Sequence, residues 1–326
     1  MPRLAEARSH HIDAIYRESY ALWGAGLSFE DYRAFWTELS TTGWAHKNLR
    51  YLVWLDDDGS LLSSLKLYQP RVRLYDRLGT AAGIGAVFTP RALRGRGHAS
   101  ALIRAVLDEA RKRGDIAALL FSDVGTALYR ALGFLELSAE EAWGEIRRKL
   151  PDPPPGWSLT PMTPAHLDDI IRTHDLGSRE RPLAILRDRE YWAYLIERSR
   201  SFFARLDGSD LSSRFQVALR DGEFAGYLAT VDGGDVWIVR EIEAVDDDPG
   251  SFATVLAMGA RQARARGRRR WYNWLPREKS ASIPGLRVRF RPRRRAIPML
   301  RRLDGGEPPS SAAAPGATFI PYLDQF

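Results

Sequence analysis

The chain has 326 residues, of which 44% are hydrophobic and 27% charged, with a formal net charge of +7 and no cysteine. That length suits two domains at roughly 100–200 residues each, and the composition is that of a globular chain rather than a disordered one. Without cysteine there is no disulfide framework, no cysteine-ligated zinc and no cysteine nucleophile. The longest apolar stretches, Ile116–Phe121 and Ala81–Phe88, fall far short of a ~20-residue membrane span. Arg3, Glu6, Arg8, His10 and His11 crowd the start, where a leader would need an apolar core. These features predict a soluble cytoplasmic protein with no membrane partner.

In chain order, Ser9–Leu22 has helical spacing through Ile12, Ile15, Tyr16, Ser19 and Tyr20. His10-His11 reads as a solvated helix start, and the six histidines show no metal-ligand spacing, so no metal site is expected. Ser28 is placed to cap a second helix, with Asp31 three residues on. Strands follow at Tyr51–Leu55, Leu61–Tyr75 and Gly79–Thr89, and Asp56-Asp57-Asp58-Gly59 is a hairpin turn. A helix spans Gly97–Arg113 and stops at Gly114. Ile116–Phe121 is a buried strand, Gly125–Leu132 a short helix, and Gly133-Phe134 begins another strand.

Leu150-Pro-Asp-Pro-Pro-Pro-Gly156 is a linker, since its prolines suit neither a helix interior nor a central strand. The second half repeats the plan. It has helices at Ala165–Thr173, Arg187–Phe203 and Ser251–Arg266, and strands at Phe215–Arg220, Glu223–Val231, Val236–Ala244 and Arg270–Leu275. Ile116 and Trp271 lie 155 positions apart, which suggests duplication. Asp304–Ala317 is rich in Gly, Pro, Ser and Ala and reads as flexible. The apolar octet after it, with Phe319, Tyr322 and Phe326, is expected to dock on the body. The domains are therefore 1–150, 157–303 after a linker at 151–156, a second linker at 304–317, and a docking tail at 318–326.

Charge is unevenly placed. Residues 261–302 hold fifteen arginines and one lysine against a single acid, Glu278, a net +15. Such a block attracts nucleic acid or another anion, or pairs with the acidic remainder of the chain. Arg287-Val-Arg-Phe-Arg-Pro-Arg293 within it alternates, giving one basic face and one that can pack.

The sharpest signal is Val87-Phe88-Thr89-Pro90-Arg91-Ala92-Leu93-Arg94-Gly95-Arg96-Gly97-His98-Ala99-Ser100. A strand ends, a glycine turn follows, and a helix begins. Free N–H groups and the positive dipole end at such a helix start bind anions. Glycines let the backbone approach a pyrophosphate, and Arg94 and Arg96 add charge. Without a ligand the same residues make a tight basic turn. The segment resembles the pyrophosphate loop of the Gcn5-related N-acetyltransferase (GNAT) superfamily, whose pattern Arg/Gln-x-x-Gly-x-Gly/Ala is matched by Arg94–Ala99. The downstream Ser122-Asp-Val-Gly125-Thr-Ala-Leu-Tyr129-Arg-Ala-Leu-Gly133-Phe134 is similar to that superfamily's Asn-x-x-Ala-x-x-x-Tyr-x-x-x-Gly-Phe, with Ser122 in place of the Asn. It looks also like the fungal lysine N6-acetyltransferase group.

The resemblance implies an α/β (α+β) chain of two GNAT-like domains, each a mixed, mostly antiparallel sheet flanked by helices. It implies acetyl-CoA as cosubstrate, held by Val87, Phe88, Thr89, Arg94, Gly95, Arg96, Gly97, His98, Ala99, Ser100 and Ser122. Tyr129 would be the general acid at the leaving sulfur; otherwise it packs between helix and sheet. Glycines Gly83 and Gly85 in the strand before the turn suit a bulge or a close approach. The strand before the turn offers no carboxylate as base. By resemblance to tandem GNAT enzymes of the enhanced-intracellular-survival type, the Phe326 carboxylate is a candidate for that role, against a tail that only seals the interface. Asp123 reads as an N-cap or as a contact to the amine. Trp36 and Glu30 could wall an amine pocket or belong to core and helix surface. In the second half Val245-Asp-Asp-Asp-Pro-Gly250 replaces the basic turn, and three aspartates would repel a pyrophosphate. The expected activity is acetyl transfer to a primary amine, free lysine or another small amine. The alternatives are a protein, aminoglycoside or polyamine acetyltransferase, and a non-catalytic acyl-CoA-sensing or nucleic-acid-binding module using residues 261–302.

Overall fold

Strand β1 (Arg3–Glu6) precedes three helices, α1 (Ser9–Trp23), α2 (Phe29–Ser40) and α3 (Gly43–Asn48), in the computed structural model, which describes residues 1–245, 248–280, 283–306 and 324. Ser28 caps α2 as expected, its Oγ accepting from Asp31 N at 3.0 Å. His11 is not solvated: it is buried, and its Nδ1 accepts from Arg8 N at 3.1 Å. Next come β2 (Leu49–Leu55), β3 (Leu61–Tyr68), β4 (Arg71–Leu74) and β5 (Arg77–Phe88). The single strand expected over 61–75 is two, because Gln69-Pro70 interrupts it and proline has no N–H for the ladder. Helix α4 (His98–Arg113) buries Leu102, Ile103, Val106, Leu107 and Ala110, one helical face, and stops at the left-handed Gly114. The first half closes with β6 (Ala117–Ser122), α5 (Ala127–Ala131), β7 (Leu135–Glu136) and β8 (Glu140–Ile146).

The second half runs β9 (Trp157–Pro161), α6 (Leu167–Ser178), β10 (Leu183–Leu186), α7 (Arg189–Asp207), β11 (Phe215–Arg220), β12 (Glu223–Gly233) and β13 (Val236–Ala244). It continues through α8 (Pro249–Ala265), β14 (Arg270–Asn273), α9 (Arg277–Ser280), β15 (Leu286–Pro292) and β16 (Ile297–Arg302). The sheets repeat one plan. In the first, β1-β2-β3-β5 are antiparallel neighbours, and β6 joins parallel to β5 through the α4 crossover. In the second, β9-β11-β12-β13 are antiparallel, and β14 joins parallel to β13 through α8.

Each half then lends a strand to the other. β16 pairs with β6 and β7 in the first sheet, and β8 lies between β14 and β15 in the second. β10 adds to β4 at the branch of the first sheet. The proline linker at 151–156 thus separates the halves in sequence while their sheets interlock. One core cluster crosses between them: Trp44 on α3 packs its ring 4.4 Å from Tyr191 and 4.8 Å from Tyr194, both on α7. Among the described residues no helix is long and apolar enough to cross a membrane.

Candidate active site

The parallel pairing of β5 with β6 ends at Ile84–Leu120, although β5 runs on to Phe88 and β6 to Ser122. The two strands part there, and Gly85–Phe88 offer backbone groups on the side β6 has left. On its other side β5 carries a bulge. Ser64 faces Phe88 and Lys66 faces Gly85, so Ala86 and Val87 together oppose Leu65. The bulge follows Gly85 directly, and Ala86 within it sits at φ +48°. Ser63 on β3 fixes the strand end: its Oγ donates to Phe88 O at 2.8 Å and lies 3.1 Å from Thr89 Oγ1.

The turn after β5 is short and open. Arg94 Nε donates to Thr89 O at 3.1 Å and folds the chain back. Gly95 (φ +78°) and Gly97 (φ +82°) take left-handed conformations that only glycine adopts freely, and a Cβ at either would face open space. Gly97 precedes α4, whose first turn has no side-chain cap and no acidic residue. His98, Ala99 and Ser100 form that turn, half-buried, while Arg94 and Arg96 are exposed beside it. The matching place in the second half is closed: Asp248 caps α8, its carboxylate accepting from Gly250 N at 3.3 Å and Ser251 N at 2.7 Å. The start of α4 is thus left open, whereas the start of α8 is occupied by its own carboxylate.

Tyr129 on α5 is 8% exposed, packed edge-on to Phe134 at 6.1 Å in the cluster between the first sheet and α4. Its hydroxyl finds no hydrogen-bond partner among the described residues. Burial, then the Asp123 charge, pushes it above the usual phenol range. Ser122 turns the chain after β6 by donating to Gly125 O at 2.5 Å. Asp123 is not an N-cap, since Thr126 precedes α5. Its Oδ1 accepts from Ala296 N at 2.8 Å and ties this loop to β16. Glu30 lies exposed on α2 away from these groups, whereas Trp36 is brought over β3. Phe326 falls outside the described residues. Within the expected tail, Asp324 is described and is buried against Arg187.

One buried group escaped the sequence reading. Lys66 on β3 is 5% exposed, its Nζ 2.7 Å from the Trp36 ring centre and 5.2 Å from that of Tyr51. Burial, then the Arg198 charge, holds its amine well below the usual lysine range. The signal was available: the lysine interrupts Leu65-Lys-Leu67-Tyr68, a strand apolar on both faces.

Part of the arginine block is paired within the fold. Arg266 and Arg268 meet Asp232, Arg270 meets Asp235, Arg277 meets Glu140, Arg291 meets Glu141 and Arg302 meets Asp304. Arg293 leaves the basic face of β15: it is buried, 3.6 Å over the Trp274 ring.

Residues 9–136 match the family described as acetyltransferase (GNAT) domain. No curated protein matches the chain. A probable N-acyltransferase from Enterococcus faecalis V583 shares its fold, with a TM-score of 0.68 at 15% identity, over 93% of this chain and 73% of that one. So does a GCN5-related N-acetyltransferase from Anabaena variabilis, at a TM-score of 0.65, 15% identity and the same coverage. Eis1 from Mycobacterium abscessus aligns at a TM-score of 0.57 and 16% identity, over 93% of this chain and 74% of that one.

Proposed function

We propose that the chain, whose residues 9–136 match the acetyltransferase (GNAT) domain family, moves the acetyl group of acetyl-CoA onto a small primary amine. The observation that carries this is the contrast between the two helix starts. That of α4 is glycine-led, uncapped and flanked by Arg94 and Arg96, while that of α8 is filled by its own Asp248. The second half is then a scaffold for the first.

The turn, the parted strand end and Tyr129 divide the tasks in this reading. Backbone N–H groups from Gly95 to Ser100 hold the pyrophosphate, with Arg94 and Arg96 as counter-charges. Groups of Val87, Phe88 and Thr89, on the side vacated by β6, pair with the pantetheine arm, and Val87 N–H holds the thioester oxygen. The bulge at Ala86–Val87, fixed by Ser63, aims those groups. The neutral amine attacks the carbonyl carbon directly, the carbon–sulfur bond breaks, Tyr129 donates its proton to the departing sulfur, and the proton shed by the acylated nitrogen returns through solvent to restore the phenol. A phenol raised above its usual range is a protonated donor at neutral pH.

Arg94→Glu and Gly97→Val test the cofactor site. The first puts a like charge beside the pyrophosphate, and the second forces a β-branched residue to φ +82°. Each is expected to weaken acetyl-CoA by roughly 10–100-fold, the size of one lost charge-assisted contact or more. Calorimetry giving wild-type affinity for both would refute the site.

A further inference from the structure

The acceptor side of this site contains a cation without an acid. Lys66, Tyr51 and Gly85 are cross-strand neighbours on β3, β2 and β5, so they share one sheet face. The next row holds Leu49, Tyr68 and Gly83. Gly85 opens the stretch where β5 leaves β6. This is the face opposite α4, which takes Leu65, Leu67, Ala82 and Ile84 on its own side. The acceptor must therefore approach over Lys66 if acetyl-CoA lies along Gly85–Phe88.

The groups facing Lys66 are aromatic or cationic. Trp36 comes from α2, Tyr51 from β2 and Arg198 from α7; Tyr68 lies beside it on β3, with Tyr194 on α7 beyond. The Tyr51 hydroxyl is engaged by Tyr16 at 3.0 Å. No acidic side chain among the described residues reaches the Lys66 amine. An indole face softens the isolation of an ammonium but supplies no counter-charge. Methionine would fill the same volume with nothing to desolvate. A buried amine beside a reaction site, with a second cation near it and no carboxylate, is complementary to a carboxylate that arrives with a ligand.

We propose that the acceptor bears a carboxylate as well as its amine, and that Lys66 receives this carboxylate. The inference rests on the acetyltransferase reading above and narrows its acceptor to the amino-acid class. Binding would draw a proton onto Lys66, since its charged form is stabilised only when the anion is present.

Three pairs of amines that differ only by a carboxylate test it on the full chain: lysine and cadaverine, ornithine and putrescine, phenylalanine and phenethylamine. In every pair that is acetylated, the acid is expected to lead in kcat/KM by at least about tenfold, expressed in KM. In Lys66→Met that preference should fall to within about twofold of unity, as expected when the group that reads the carboxylate is gone. Titration of the preferred acid in buffers of different ionisation enthalpy should show proton uptake in the wild type. Equal or reversed preference in the wild type overturns the proposal whether or not the variant folds. So does a preference that survives in Lys66→Met. Acetylation of the carboxylate-free amines alone overturns this inference and leaves the acetyltransferase standing. Transfer to none of the six, with acetyl-CoA still bound, overturns both.

Discussion

Tyr129→Phe is expected to lower kcat by ~10²–10⁴ with little change in acetyl-CoA affinity, the usual loss when a positioned general acid is removed. The ring of Tyr129 packs against Phe134 in the α4 cluster, and phenylalanine keeps that packing. Its hydroxyl satisfies no described protein group, so the substitution leaves no partner stranded. A fall in turnover would then report the proton and not the fold. Steady-state kinetics with a thiol readout, beside a melting curve for each protein, decides it. Near-normal turnover in a stable variant would reduce Tyr129 to a packing residue.

Arg187→Leu is expected to cost about 3–5 kcal/mol of stability, the scale for breaking a buried ion pair from one side. Arg187 is fully enclosed between two carboxylates. Its Nη1 and Nη2 donate to Glu241 at 2.7 Å each, and its Nε and Nη2 donate to Asp324 at 3.0 and 2.7 Å. Tyr227 donates to the same Glu241 at 2.5 Å, while His174 Nδ1 lies 3.3 Å away in poor alignment for a hydrogen bond. Removing the guanidinium strands two buried carboxylates. Burial alone would raise the Glu241 carboxyl; Arg187, with His174, more than reverses this and holds it well below the usual carboxylate range. That stability is complete above the unfolded carboxylate value and is lost as pH falls below it, because the unfolded state then binds the proton first. Urea unfolding at neutral pH measures the cost, and the difference between wild type and variant should shrink as pH falls below about 4. A difference under ~1 kcal/mol at neutral pH would mean that the cluster is hydrated and weakly held.

The parts of this molecule read from sequence are those set by short-range chemistry. The glycine turn before α4, the Ser28 cap and the Asp56–Gly59 hairpin turn each depend on residues a few positions apart. The strand exchange does not. Nothing in the residues of Glu140–Ile146 or Ile297–Arg302 names a partner sheet in the other half. The N-cap reading of Asp123 fails for the same reason, because its partner, Ala296, lies 173 residues away. Lys66 is buried by α2 and α7, elements distant from β3 in sequence, so its surroundings are not set by its neighbours in the chain. Of the candidate site, the glycine turn before α4 and the helix carrying Tyr129 were therefore legible as local structure, whereas the packing of Trp36, Tyr51 and Arg198 around Lys66, built across strands and from α7, was not.

The central claim is that acetyl-CoA binds the first half alone, at the parted end of β5 and the start of α4. Amide hydrogen exchange of the full chain, with and without saturating acetyl-CoA, tests it most directly. Protection is predicted at residues 85–100, with a smaller effect at 122–134, and none at 244–251, where Asp248 closes the equivalent helix start. Protection at 244–251, or an unchanged 85–100, would contradict the account.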